Sequence, residues 1–203
     1  MHQFNSLHLM AAMLGAVPTP APRPVPVEAE AVVRFWQEAG PDRWFAKDQK
    51  FDRLFRERFE KDYELASNGA LREWERTPRG ALALTLLLDQ YPRNSFRGTA
   101  RMYATDSAAR NVAARAIAAG HDRQIEPAFR RFFYLPFGHS ESLADQERSV
   151  ALAKTIGETE VGHAEHHRDI IRRFGRFPHR NPILGRAMRP EEQKYLDEGG
   201  YKG

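Results

Sequence analysis

Two stretches of the chain repeat one arrangement of side chains able to grip an anion. Tyr91-Pro92-Arg93-Asn94 leads to Arg97-Gly98, and Phe177-Pro178-His179-Arg180-Asn181 leads to Gly185-Arg186. Each sets an aromatic residue and a proline ahead of Arg-Asn, and each ends on an arginine and a glycine. Proline fixes φ, so the guanidinium and the amide project from a preset backbone. A guanidinium presents a planar fork of donors to a carboxylate or phosphate, and an amide beside it sets orientation.

Other polar residues gather near these turns. Asp89 and Gln90 close an apolar run just before the first, and with Arg93, Asn94 and Arg97 they form one candidate wall. His139 and Glu141 straddle Ser140, with Asp145 and Gln146 following. A histidine beside a carboxylate is acid–base chemistry, and acids in a first helical turn also complement its dipole. Arg176, His179, Arg180, Asn181 and Arg186 put three arginines and a histidine within one short connector. Structural pairing competes with function in each group, because buried polar atoms need partners.

A fourth group, His163, His166 and His167 with Glu165, lies on one helical stretch. His163 and His167 are spaced i, i+4, as a helical metal chelate requires. Glu160-x-x-His163 matches one element of a di-iron bundle, but no second element accompanies it, and His-Glu-x-x-His is absent. A solvated, titrating helix face is the expectation, and no metal or cofactor is assigned.

The 203 residues suffice for a core without staples. The absence of cysteine excludes disulfides, thiolate nucleophiles and zinc–thiolate sites, and it fits a cytoplasmic protein. Net charge is only +4, but arginine far outnumbers lysine, and residues 163–189 are locally basic. That favours an anionic small molecule or acidic peptide as partner over nucleic acid, for which no recognised module is present. No apolar run is long enough to span a bilayer. Leu7 to Val17 is apolar but short and lacks a basic lead, so it makes a poor export signal. Phosphate loops, nucleophile elbows and dinucleotide fingerprints are absent.

The elements that must position these groups are helical. Residues 1–27 form a proline-rich extension, with proline at every second position over 17–26, expected to be disordered or extended. Residues 28–203 are expected to form one all-helical domain. Helices are expected over 28–39, 48–67, 70–76, 78–90, 107–119, 126–134, 143–156 and 158–174, with a last short one from Pro190. In the second, Phe51, Leu54, Phe55, Phe59, Tyr63 and Ala66 fall at helical spacing. Thr77-Pro78 caps a helix that is apolar all round and should be the buried centre. Strand patterns are weak everywhere. The expected architecture is stacked antiparallel hairpins around that central helix.

The long motifs Leu87-Leu88-Asp89-Gln90-Tyr91-Pro92-Arg93-Asn94 with Phe96-Arg97-Gly98-Thr99, Tyr134-Leu135-Pro136-Phe137-x-His139-Ser140-Glu141, and His167-Arg168-Asp169 through Phe174-Gly175-Arg176-Phe177-Pro178-His179-Arg180-Asn181 resemble domain-of-unknown-function family 924. The similarity runs from about Glu28 to Leu196. It implies a tetratricopeptide-like helical fold and supplies no activity. Gly138 stands where an amide or methionine is more usual, which loosens the turn before His139.

Two functions remain open. In a binding module, Arg93, Arg97, Arg176 and Arg180 hold an acidic peptide or small anion, oriented by Asn94 and Asn181, with Asp89, Gln90, Gln146 and His167 completing the pocket. In an enzyme acting on a phosphorylated or carboxylated small molecule, His139 or His179 moves a proton with Glu141 or Asp145 in support. The second requires residues 89–97, 139–146 and 174–181 to meet in one cleft.

Overall fold

The computed structural model describes residues 24–203. The apolar stretch 7–17 and most of the proline-alternating segment lie outside the described residues. Among the described residues every regular element is helical. No helix among them is long and apolar enough to cross a membrane.

Helix α1 (Val27–Ala39) buries Ala29, Val32, Val33 and Trp36, one stripe at spacings of three, one and three. Gly40 at φ 73° ends it, and a single turn, α2 (Pro41–Trp44), follows where only a break was expected. Trp44 explains that turn: its indole Nε1 donates to Trp36 O at 2.7 Å, and its ring packs on Phe129 and Phe132. Helix α3 (Gln49–Ser67) starts at Asp48, whose carboxylate accepts from the amides of Lys50 and Phe51. It buries Phe51, Asp52, Phe55, Phe59, Tyr63 and Ala66. Leu54, expected inside, is half exposed, and Asp52 takes a place on the inner face.

Residues 72–76 form a 3₁₀ turn around buried Trp74. Helix α4 (Pro78–Thr85) is capped by Thr77, whose hydroxyl accepts from Gly80 N. Gly80 is required there: a Cβ would meet Trp74 O at 2.2 Å. From Ala81 to Leu88 every side chain is buried, so this is the central helix the apolar run implied. The chain does not turn away at Pro92. A π-helical turn over Leu86–Gln90 leads into α5 (Tyr91–Ser95). The wider turn absorbs a proline that lacks an N–H, and it rotates Asp89 and Arg93 to one side.

Helix α6 (Asp106–Ala118) ends at Gly120, φ 72°. Helix α7 (Arg130–Gly138) runs through Pro136, past the stop expected at Tyr134. Burial of Phe132, Phe133 and Phe137 holds it together across that proline. Helices α8 (Leu143–Ala153) and α9 (Glu158–Phe174) follow, and α10 (Pro190–Asp197) is last. Successive helices α6 to α9 pack each on the next, while α4 touches α1, α6 and α7. The main core lies among α1, α3, α4, α6 and α7. A smaller one joins Ile170, Ile171, Phe174 and Phe177 with Tyr195 and Tyr201.

Candidate functional site

The π-helical turn and α7 bring the first and second polar groups into contact. Asp89 is 1% exposed. Its Oδ1 lies 2.7 Å from His139 Nδ1 and 3.3 Å from Arg93 Nη1, and its Oδ2 accepts from Gln90 Nε2 at 2.6 Å. Burial opposes its charge, but His139 and Arg93 outweigh that and hold the carboxyl at about 2. An ionised carboxylate only accepts, so His139 Nδ1 donates and Nε2 is left for another partner.

Arg93 Nη1 and Nη2 then reach Asp106 Oδ1 and Oδ2 at 2.8 and 3.1 Å, and Nη1 also donates to Asp89 O. This guanidinium is matched on every side. Arg180 arrives at the same carboxylate from the C-terminal turn Pro178–Arg180, yet its Nη1 stands 3.7 Å from Asp106 Oδ2, beyond hydrogen-bond reach. Among the described residues its one side-chain hydrogen bond runs from Nη2 to His139 O at 3.0 Å. Nε is buried and has no partner among the described residues. The guanidinium lies 4.5 Å from the ring centroids of both Tyr103 and Phe177. Arg180 is only 7% exposed. Burial first, and then Arg93, pull its pKa below the ordinary arginine value.

The remaining residues serve carboxylates of their own. Asn94 Nδ2 donates to Asp52 Oδ1 at 2.7 Å, and Arg97 Nε donates to Asp52 Oδ2 at 2.6 Å, away from His139. Arg176 binds Glu192 through Nε and Nη2, at 2.6 and 2.8 Å, and Asn181 Nδ2 joins that carboxylate at 3.0 Å. Arg186 grips Glu141 at 2.6 and 3.0 Å, and Phe177 N donates to the same group. Burial pushes Glu141 up, but those donors outweigh it and keep the group low. Asp145 accepts from Ser140 Oγ and pairs with Arg110. Gln146 Nε2 ties Gly138 O and Ser140 O together, fixing the turn that presents His139.

Beside this cluster, α7, α8 and α9 enclose a cavity of about 500 Å³. Its apolar wall includes Leu135, Ala153, Ile156 and Ala164, and His139, His167 and Tyr201 line it as well. Burial drives His167 down to about 3 and His179 to about 4, so both rings are neutral at pH 7. His163 and His166 stand exposed on α9. Among the described residues no three His, Asp or Glu side chains converge as metal ligands.

Asp89, Arg93, His139 and Arg180 therefore meet, and His139 and His167 share the cavity. Asn94 and Arg97 sit apart on Asp52, and Asn181 and Arg176 sit apart on Glu192. Sequence reasoning missed Asp52, Tyr103, Asp106, Glu192 and Tyr201 as partners of these groups. Asp52 had a signal, an acid in step with Phe55 and Phe59 on an apolar face. Glu192 had one too, in Pro190-Glu191-Glu192 opening a helix. Nothing local marked Tyr103 or Tyr201.

Residues 32–200 match the family described as bacterial protein of unknown function, DUF924, and the chain belongs to that family. It is similar to the solved structure of a protein of unknown function, ATU0120, from Agrobacterium tumefaciens. The two share 52% identity at a TM-score of 0.83, covering 85% of this chain and 98% of that one. No functionally curated protein matches it.

Proposed function

We propose that this family member is a tetratricopeptide-like binding protein whose residues 28–203 act as one domain and hold an anionic small molecule, or an acidic peptide side chain, at Arg180. The observation that carries this reading is the state of that guanidinium. It is nearly buried and, among the described residues, uses one of five donors and has no carboxylate within hydrogen-bond distance. Its neighbours Arg93 and Arg186 each have a bidentate carboxylate. A buried charge without a full partner is costly, and an anionic ligand would supply what Asp106 does not. The cysteine-free sequence supports a cytoplasmic setting.

Calorimetric titration of the full chain with acetate, inorganic phosphate and a short acidic peptide tests it. Saturable binding that weakens with salt and disappears in Arg180→Met is expected. Equal binding by wild type and Arg180→Met would contradict it.

A second reading, acid–base catalysis on the bound molecule, draws on the Asp89–His139 contact. A carboxylate that fixes Nδ1–H leaves Nε2 as the base, on a ring that lines the cavity. In this reading a compound held at Arg180 is turned over, and His139→Gln abolishes turnover while binding survives. Turnover that persists in His139→Gln would contradict it.

A further inference from the structure

We propose that the ligand is an amphiphilic monocarboxylate, with its apolar body in the cavity between α7, α8 and α9 and its carboxylate directed to Arg180. This rests on the Arg180 reading and adds the chemistry of the molecule.

The cavity has the volume of a small-molecule site and a wall unsuited to a polar ligand. Phe45 stands at its rim 57% exposed, a large apolar side chain left in water unless something covers it. Gly138 lies against the inner wall with no room to spare: a Cβ there would meet Ser149 Oγ at 3.1 Å and His167 Nδ1 at 3.7 Å. The charges that border the cavity are already cancelled, since Arg131 pairs with Glu160 at 2.8 Å. Burial keeps His167 neutral as well. Nothing on these walls calls for a charged ligand body.

The inner end differs. His139 lines the cavity, and its carbonyl accepts from Arg180. Tyr201 also lines it, with its ring 4.8 Å from His167 and 6.3 Å from Phe177, whose face carries the Arg180 guanidinium. Tyr201 follows Gly199-Gly200, and Gly199 at φ 89° lets the tail turn inward. Tyr201 thus borders the apolar space on one side and feels the charge of Arg180, which does not itself line the cavity, on the other. A guanidinium fork fits the two oxygens of a carboxylate. Asp106 and Glu141 flank the same cation, and they repel a dianionic head more than a single negative charge.

The test titrates acetate, hexanoate, octanoate, decanoate and decanol into the full chain. Each added methylene should tighten binding about fourfold, the effect of about 0.8 kcal/mol per buried methylene, until the cavity is full. Decanol should bind at least about tenfold more weakly than decanoate, the loss of one charged hydrogen bond. At the exposed mouth, Thr159→Trp should remove the chain-length dependence and leave acetate binding and Tm unchanged. Acetate and decanoate binding alike would overturn this inference and leave the Arg180 reading standing. Decanol binding as tightly as decanoate would overturn it too. If neither acetate nor phosphate binds, the Arg180 reading fails and takes this one with it.

Discussion

The turn at Tyr91–Gly98 and the turn at Phe177–Arg186 share residues but not their state of completion. In both, an asparagine and an arginine grip one internal carboxylate: Asn94 and Arg97 on Asp52, Asn181 and Arg176 on Glu192. In both, the arginine before the asparagine points at Asp106. There the likeness ends. Arg93 takes both oxygens of Asp106, and Arg180 is left 3.7 Å short. A repeated motif therefore does two jobs. Its asparagine joins a clamp that fixes a loop to a helix, completed by Arg97 within the first turn and by Arg176 just ahead of the second, and its leading arginine is structural only where a carboxylate saturates it.

The comparison breaks most visibly at the clamps. Glu192, with no exposed surface, accepts from Arg176 twice, from Asn181 and from Arg189 N. Glu192→Ala should give the largest loss of thermal stability of any substitution named here and release the C-terminal turn to proteolysis. A Tm within a degree of wild type would show that the turn is held otherwise. Asp106→Ala takes the bidentate partner from Arg93, whose side chain is 15% exposed, and should cost about 3 kcal/mol in urea denaturation. Asp52→Ala should cost less, about 2 kcal/mol, because Arg97 keeps contact with water. If Asp52→Ala costs more than Asp106→Ala, the ranking by burial is wrong.

Acid sharpens the contrast from another side. His167 and His179, both beside the second turn, are held neutral to about 3 and about 4. Below about 6.5 the unfolded chain binds protons that these folded rings refuse, so stability falls as pH drops from about 6.5 toward 4. Each ring can contribute up to about 1.4 kcal/mol per pH unit. Asp89, at about 2, adds a loss only below about 4, where its unfolded counterpart takes up a proton. Thermal melts across this range should show the slope, and His167→Gln should flatten it. An unchanged slope in that variant would remove His167 from the account.

Much of this was legible in sequence where local physics decides. The α3 stripe apart from Leu54, the Thr77 cap and the wholly apolar run of α4 are set by spacing and composition, and they stand as read. Prolines misled: Pro92 and Pro136 read as stops, but a π-helical turn and a phenylalanine-rich core carry helix through both. The site was half legible. Arg93, His139 and Arg180 stand out by type. Whether an arginine is matched depends on which carboxylate the fold brings near it. Arg93 and Arg180 are far apart in sequence and meet at an Asp106 that belongs to neither turn.

The most direct test of this account compares Arg93→Met with Arg180→Met in one thermal denaturation experiment. Arg93→Met should lower Tm by several degrees, because it leaves Asp106 without its bidentate cation and Asp89 with one partner fewer. Arg180→Met should leave Tm unchanged or raise it, since it trades an incompletely matched buried charge for apolar packing between Tyr103 and Phe177. A fall in Arg180→Met as large as that in Arg93→Met would contradict the central claim and make Arg180 one more structural clamp.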